Sequence, residues 1–159
     1  ILPPPTPVSV AAAASQHKTM LRAGVRLAEA ALAAASANVE FVQIAGAAPQ
    51  CPAAHVTKVV KAAVEGSAGL SSGARISVRT EKKPVLLKSR DGSETKREFL
   101  MLMVAQKTPI PMDEQQKIPT GAGAGPFGDA GKLVREVGGF TRFAPTSDGG
   151  TEARFFFPM

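Results

Sequence analysis

The chain has 159 residues and a mass of 16.4 kDa, a length that suits one domain and is too short for two full ones. Hydrophobic residues make up 44% and charged residues 20%, which supports a packed core and excludes wholesale disorder. The formal charge of +6 is spread along the chain and mixed with acids, so it fits solubility or an acidic protein partner better than a nucleic-acid footprint; without Trp or Tyr there are also few platforms for base stacking.

Ile1 to Ala14 carries four prolines in its first seven residues and reads as an extended, polyproline-like arm. Such an arm has no core of its own, so it is expected to lie against something, a protein partner in the first instance. Residues 15–159 then form one domain. A chain that starts at Ile1 suits a processed precursor or a fragment. Ser15 to Ala37 predicts the first helix, with Ser15 as N-cap, an apolar stripe through Met20, Val25, Leu27, Ala28, Ala31 and Leu32, and Asn38 as its stop. Within it Ala23 to Ala37 is the longest apolar candidate, and Arg26, Glu29 and Ser36 interrupt it well short of the roughly 20 residues that span a bilayer. Membrane association, if any, would run through partners. Val39 to Ile44 predicts a short strand, followed by a loop through Pro49, Cys51 and Pro52. The single cysteine excludes an internal disulfide and a thiolate metal cluster.

Ala53 to Val64 reads as a second helix, with Val56, Val59, Val60 and Ala63 on one face and Lys58 and Lys61 on the other. Gly66, Gly69 and Gly73 predict a turn into a strand from Ala74 to Glu81, where Ile76 and Val78 alternate with Arg75, Ser77 and Arg79. Asp91-Gly92 predicts a hairpin turn between Val85-Leu86-Leu87 and the stronger run Phe99 to Val104. Pro109, Pro111 and Pro119 keep the next stretch irregular, with a short helical turn at Asp113 to Lys117. Phe127 to Val137 predicts a third helix closed by Gly138-Gly139, and Phe140 to Ala144 then pairs with Thr151 to Phe157 through Ser147-Asp148-Gly149-Gly150. Because helices and strands do not alternate strictly, this order implies an α+β fold, a two-layer sandwich with a mixed β-sheet and helices on one face.

From about Met20 to Pro158 this order resembles the GHKL, or Bergerat-fold, ATPase domain shared by histidine kinases, type II topoisomerases and the Hsp90 chaperones, and the histidine kinase version above the others. The likeness is densest from Gly139 to Pro158, where the family's glycine, alternating strand, Ser-x-x-Gly-x-Gly turn and Thr-Phe-x-Phe-x-x-Pro strand are followed without a gap. The resemblance implies three nucleotide-holding boxes. In the first, two polar residues four apart on the second helix, the latter an Asn, position the attacking water and hold Mg²⁺ through oxygen. Aligning Val59-Val60 with the family's apolar pair puts these positions at Ala62 and Gly66, which have no side-chain oxygen, and neighbouring Glu65 is rotated about 100° around the helix.

The second box is Asp-x-Gly-x-Gly, whose Asp accepts a hydrogen bond from the adenine amino group. Val104 to Pro111 takes its place here and the Asp position falls on Ala105 or Gln106; the Gln106 amide oxygen is the substitute at hand. The third is a glycine-rich lid whose backbone amides cradle phosphate at a helix N-terminus. Gly121, Gly123, Gly125 and Gly128 remain, while Pro126 removes a donor and Asp129 is expected at the positive helix end. If nucleotide binds, Gln106, Gly121, Gly123 and Gly125 are the residues to hold it.

His17, in Ser15-Gln16-His17-Lys18-Thr19, is similar to a phosphoacceptor box, but it stands too near the first box for the helical hairpin that would separate them. It reads as an exposed residue near a helix N-terminus. His55 has no Cys or acidic partner at metal-ligand spacing and reads as structural. No nucleophile elbow supports Ser/His/Asp chemistry. The expectation is a non-catalytic structural or regulatory subunit of a larger protein complex, with no cofactor and no metal, on a degenerate kinase-type ATPase fold. The alternative is a divergent ATP-binding protein or kinase that keeps weak nucleotide binding through the glycine loop. Use of the family in bacteria and in organelles of bacterial descent, together with the missing initiator Met, points to a plastid before a mitochondrion, with a bacterial cytoplasmic protein as the alternative.

Overall fold

A computed structural model describes residues 19, 21–34, 36–43, 53–70, 75–120, 125–147 and 149–159. The arm Ile1 to Ala14, His17, Cys51, Gly121 and Gly123 lie outside the described residues. Helical residues 21–27 (α1) and Glu29–Ala34 (α2) take up the first predicted helix, interrupted at Ala28. There the backbone N–H is shared between the Gly24 and Val25 carbonyls at 3.3 and 3.1 Å. Ser36, not Asn38, ends the helix. Its φ is 52°, its N–H donates to the Ala33 carbonyl at 3.1 Å, and the Ala37 N–H reaches back to Leu32 at 2.9 Å. These two bonds make a Schellman closure, and Asn38 is thereby released to begin β1 (Asn38–Gln43).

The second helix, α3 (Ala53–Leu70), runs on past Val64 through Gly66 and Gly69, where a turn was expected. A glycine inside a helix costs about 1 kcal/mol relative to alanine. Tertiary contact overrides that preference here, because a Cβ built on Gly66 would stand 2.7 Å from the Phe127 ring of a neighbouring helix. β2 (Arg75–Lys88) and β3 (Glu94–Gln106) form the long hairpin expected around Asp91-Gly92. Gly92 has φ +85°, and the Asp91 carboxylate accepts bonds from the Ser93 N–H at 2.9 Å, the Ser93 hydroxyl at 2.7 Å and the Ser89 hydroxyl. Pro84 lies inside β2 without harm: β1 pairs only with Arg75 to Arg79, so the later half of β2 is an edge on which a missing N–H is tolerated.

α4 (Met112–Lys117), a 3₁₀ turn at Ile118–Thr120, α5 (Gly125–Glu136), β4 (Phe140–Pro145) and β5 (Thr151–Pro158) complete the order. Among the described residues five strands form one sheet in the order β1-β2-β3-β5-β4, with β1 and β2 parallel and the other pairs antiparallel. The result is the expected mixed sheet with helices on one face. Strand alternation sends Val78, Leu102, Val104, Phe155 and Phe157 toward the helices, where Val59, Val60, Ala63 and Val134 meet them in one buried cluster. The opposite face carries a smaller cluster of Val85, Phe99, Met101, Met103 and Phe156, in which no described helix residue takes part. Among the described residues, no helix is long and apolar enough to cross a membrane.

Candidate functional site

The second half of α3, the stretch from Ile110 to Ile118 and the start of α5 enclose a cleft of about 310 Å³. Its walls are mostly carbon, with Gly66 from α3, Ile110 and Ile118 from the connecting stretch and Phe127 from α5. Glu65 and Glu114 are the carboxylates of the lining. The connecting stretch is pinned at its start: the Ile110 N–H donates to Thr151 Oγ1 at 3.0 Å, and Gln115 Nε2 donates to the Ile110 carbonyl at 2.8 Å.

The first-box positions fall on the inner side of α3. Ala62 is buried, and Gly66 lies against the Phe127 ring, which is itself buried. One turn of helix separates the two positions, so the same flank of α3 presents a methyl group and a bare backbone, neither of which offers a side-chain oxygen. Glu65 does reach the lining, but its carboxylate is bound to Lys61 Nζ at 2.7 Å. Among the described residues no group of three or more His, Cys, Asp or Glu is placed to hold a metal ion.

The second-box segment leaves the end of β3. Ala105 is half-buried, and Gln106 is buried with its Nε2 donating to the Thr108 carbonyl at 3.0 Å. Its Oε1 has no partner among the described residues. Gln106 lines a different cleft, of about 220 Å³, with Arg75, Lys107 and Ser147. The apolar cleft and Gln106 are therefore separate features. Backbone packing holds this strand end in place, since a Cβ on Gly150 would sit 1.8 Å from the Gln106 carbonyl oxygen.

In the third box, Gly125 opens α5 with φ +74°, while Gly121 and Gly123 fall outside the described residues. Pro126 and Phe127, rather than Gly125, line the cleft. Because α5 begins at Gly125 instead of Phe127, its first turn contains no acidic residue and Asp129 lies exposed on the turn after it. The negative charge expected at the helix end is thus displaced, and Glu114 of α4 supplies one to the cleft instead.

Phe127, Glu114, Ile110 and Ile118 are the residues of this site that a reading by motif passes over. Their one sequence signal is the run Pro109, Pro111 and Pro119, which forces an irregular path between two apolar anchors. His55 likewise has a partner that spacing could not reveal: its Nε2 lies 3.1 Å from Glu136 Oε2, joining α3 to α5. The contact is partly exposed and structural in character.

No family model matches the sequence, and no curated protein sequence matches it. Solved structures match by fold. The mycobacterial sensor histidine kinase MprB is similar with a TM-score of 0.58 and 16% identity, over 87% of this chain and 95% of that one. The Acinetobacter baumannii histidine kinase AdeS gives 0.62 and 13%, over 89% of this chain and 64% of that one. A nucleotide-free catalytic domain of histidine kinase ThkA gives 0.60 and 14%, over 89% and 92%. At such identities the likeness establishes the fold, a histidine kinase ATPase domain architecture with its five-stranded mixed sheet.

Proposed function

We propose that the chain is a non-catalytic structural or regulatory subunit of a larger protein assembly, built on the histidine kinase ATPase fold around a cleft that no longer takes Mg-ATP. The observation that carries this reading is the contact of Gly66 with Phe127. A Cβ at position 66 would lie 2.7 Å from that ring, so an Asn side chain has no room there unless α5 moves. The lining argues the same way. A triphosphate needs cations and N–H donors, whereas carbon dominates the walls and Glu65 and Glu114 supply negative charge. A carboxylate about 4 Å from a phosphate charge costs roughly 1 kcal/mol in water and about 4 kcal/mol at an effective dielectric of 20.

Titration with a fluorescent ATP analogue and Mg²⁺ tests this directly. No saturable binding is expected up to about 1 mM, the range in which binding is worth only about 4 kcal/mol. Saturation at micromolar concentration would overturn the proposal in favour of an ATP-binding protein that uses its glycine loop. Within the same reading, the arm Ile1 to Ala14 is a docking segment, since its prolines preset an extended backbone and lower the cost of ordering it on a protein partner. An organellar, plastid-type setting belongs to the proposal as well. Isolation of the assembly from its native source, with and without the arm, is the test: loss of the partner without the arm is expected, and an unchanged assembly would remove the arm from the proposal.

A further inference from the structure

The sheet face turned away from the helices carries a surplus of positive charge. Strand register places Arg75, Arg79, Lys83, Arg97, Arg142 and Arg154 on it, against the carboxylates Glu40, Glu81 and Glu152. Five of the chain's nine arginines are thus on one side of one sheet, and the surplus of three charges is half of the formal net charge of +6.

The pairing within this face is uneven. Glu152 takes both Arg154, at 2.8 Å, and Arg79, at 3.6 Å, while Glu40 takes Arg75 at 3.3 Å. Arg97 and Arg142 have no carboxylate at ion-pair distance among the described residues. They lie instead over one aromatic cluster: Arg97 is 5.7 Å from the Phe99 centroid, and Arg142 is 4.9 Å from Phe140 and 5.7 Å from Phe156. The rings touch one another, with Phe140 stacked on Phe156 at 4.4 Å and edge-on to Phe99 at 5.2 Å. Two like charges are therefore held over one apolar patch. A guanidinium engaged through its face keeps in-plane N–H donors, and its planar fork matches a carboxylate.

We propose that this face, centred on Arg97 and Arg142, is a docking surface for an acidic, amphipathic segment of a partner protein. The inference gives the partner of the proposed subunit a chemistry, and it stands apart from how the cleft treats ATP. Nucleic acid fits less well, because Phe99 and Phe156 are only 2% exposed, because the half-buried Phe140 is already stacked on Phe156 and engaged by Arg142, and because Glu40, Glu81 and Glu152 oppose a phosphate backbone. Strand addition at the free edge of β2 is opposed by Lys82, Lys83 and Pro84. The partner is accordingly received by side chains on the face rather than by the edge.

The experiment titrates the full chain into a short fluorescein-labelled peptide of alternating Glu and Leu, with labelled single-stranded oligothymidylate as a second arm. Saturable peptide binding that weakens with salt is expected. Arg97→Gln with Arg142→Gln should lower the affinity about tenfold or more, as loss of two charge-assisted contacts requires, and Lys132→Gln on the exposed side of α5 should leave it unchanged. In the unaltered chain the methyl NMR signals of Met101 and Met103, which lie in the cluster beneath this face, should shift during the titration, and they decide the matter if the double variant fails to fold. Absence of binding, an equal loss in Lys132→Gln, unmoved methionine signals, or tighter binding of the oligothymidylate would each overturn the inference. The ATP titration can fail or succeed independently of all four.

Discussion

At position 66 the absent side chain is itself the contact, because the Phe127 ring fills the space a Cβ would need. Gly66→Asn should therefore destabilise the fold by about 1–3 kcal/mol, the usual cost of forcing atoms into a filled site. Phe127→Ala should cost about 3–5 kcal/mol through lost burial and the cavity left behind. The double variant should cost less than the sum, since the cavity admits the Asn, and denaturant midpoints of the three variants measure that coupling; strict additivity would show that the two positions do not meet. Asp91 offers a different test at this scale. Bonds from the Ser89 hydroxyl, then from the Ser93 hydroxyl and backbone, stabilise its ionised form and lower its pKa from 3.8 to about 2. A depressed carboxylate contributes stability above its unfolded pKa and loses it as pH falls through its folded one, so the window lies between about pH 4 and pH 2. Unfolding midpoints should fall more steeply across that window in the unaltered chain than in Asp91→Asn, and parallel slopes would place the turn outside the acid response.

The join between α5 and the terminal hairpin shows how one element positions the next. Gly138, with φ +82°, takes the left-handed position after α5; its N–H bonds to Arg135 at 3.1 Å and the Gly139 N–H bonds to Val134 at 2.9 Å. Gly139 then passes so close to β5 that a Cβ would stand 2.0 Å from the Phe156 carbonyl oxygen. The two glycines should respond differently to alanine. Gly138→Ala should cost about 1 kcal/mol from backbone conformation alone, whereas Gly139→Ala has to displace a paired strand and should cost at least about 2–3 kcal/mol. Equal losses in chemical denaturation would contradict this account. Legibility in the sequence follows the same division between near and far. The hairpins, the Gly138-Gly139 stop and the alternation of β2 were readable because each depends on neighbours within a few residues. The passage of α3 through Gly66 and the enclosing role of Phe127 were not, because both are decided by the contact of these two residues, which lie dozens of positions apart in the chain. That residue 66 is a glycine is plain in the sequence, but only the packing against Phe127 gives a reason for it.

Across the whole molecule the two sheet faces serve different ends: one is sealed by α3 and α5, and the other carries arginine side chains over phenylalanine and methionine. The cleft belongs to the helical side, where it opens between elements joined by the Gly66–Phe127 contact and the His55–Glu136 pair. Ligand entry there would link α3, α4 and α5 and should register as global stabilisation. A ligand present at 100 times its dissociation constant adds about 2.7 kcal/mol to the folded state. For a chain of this size each kcal/mol raises the unfolding temperature by roughly 2–4 °C. Mg-ATP bound with a dissociation constant of about 10 μM and supplied at about 1 mM should then raise the transition by about 5–10 °C. On the reading proposed above the shift should be absent, with Mg-ATP and magnesium alone giving the same transition. A rise of several degrees specific to Mg-ATP would mean that the triphosphate finds donors beyond Gly66, Ile110 and Phe127, and the assignment of this fold to a non-catalytic role would have to be abandoned.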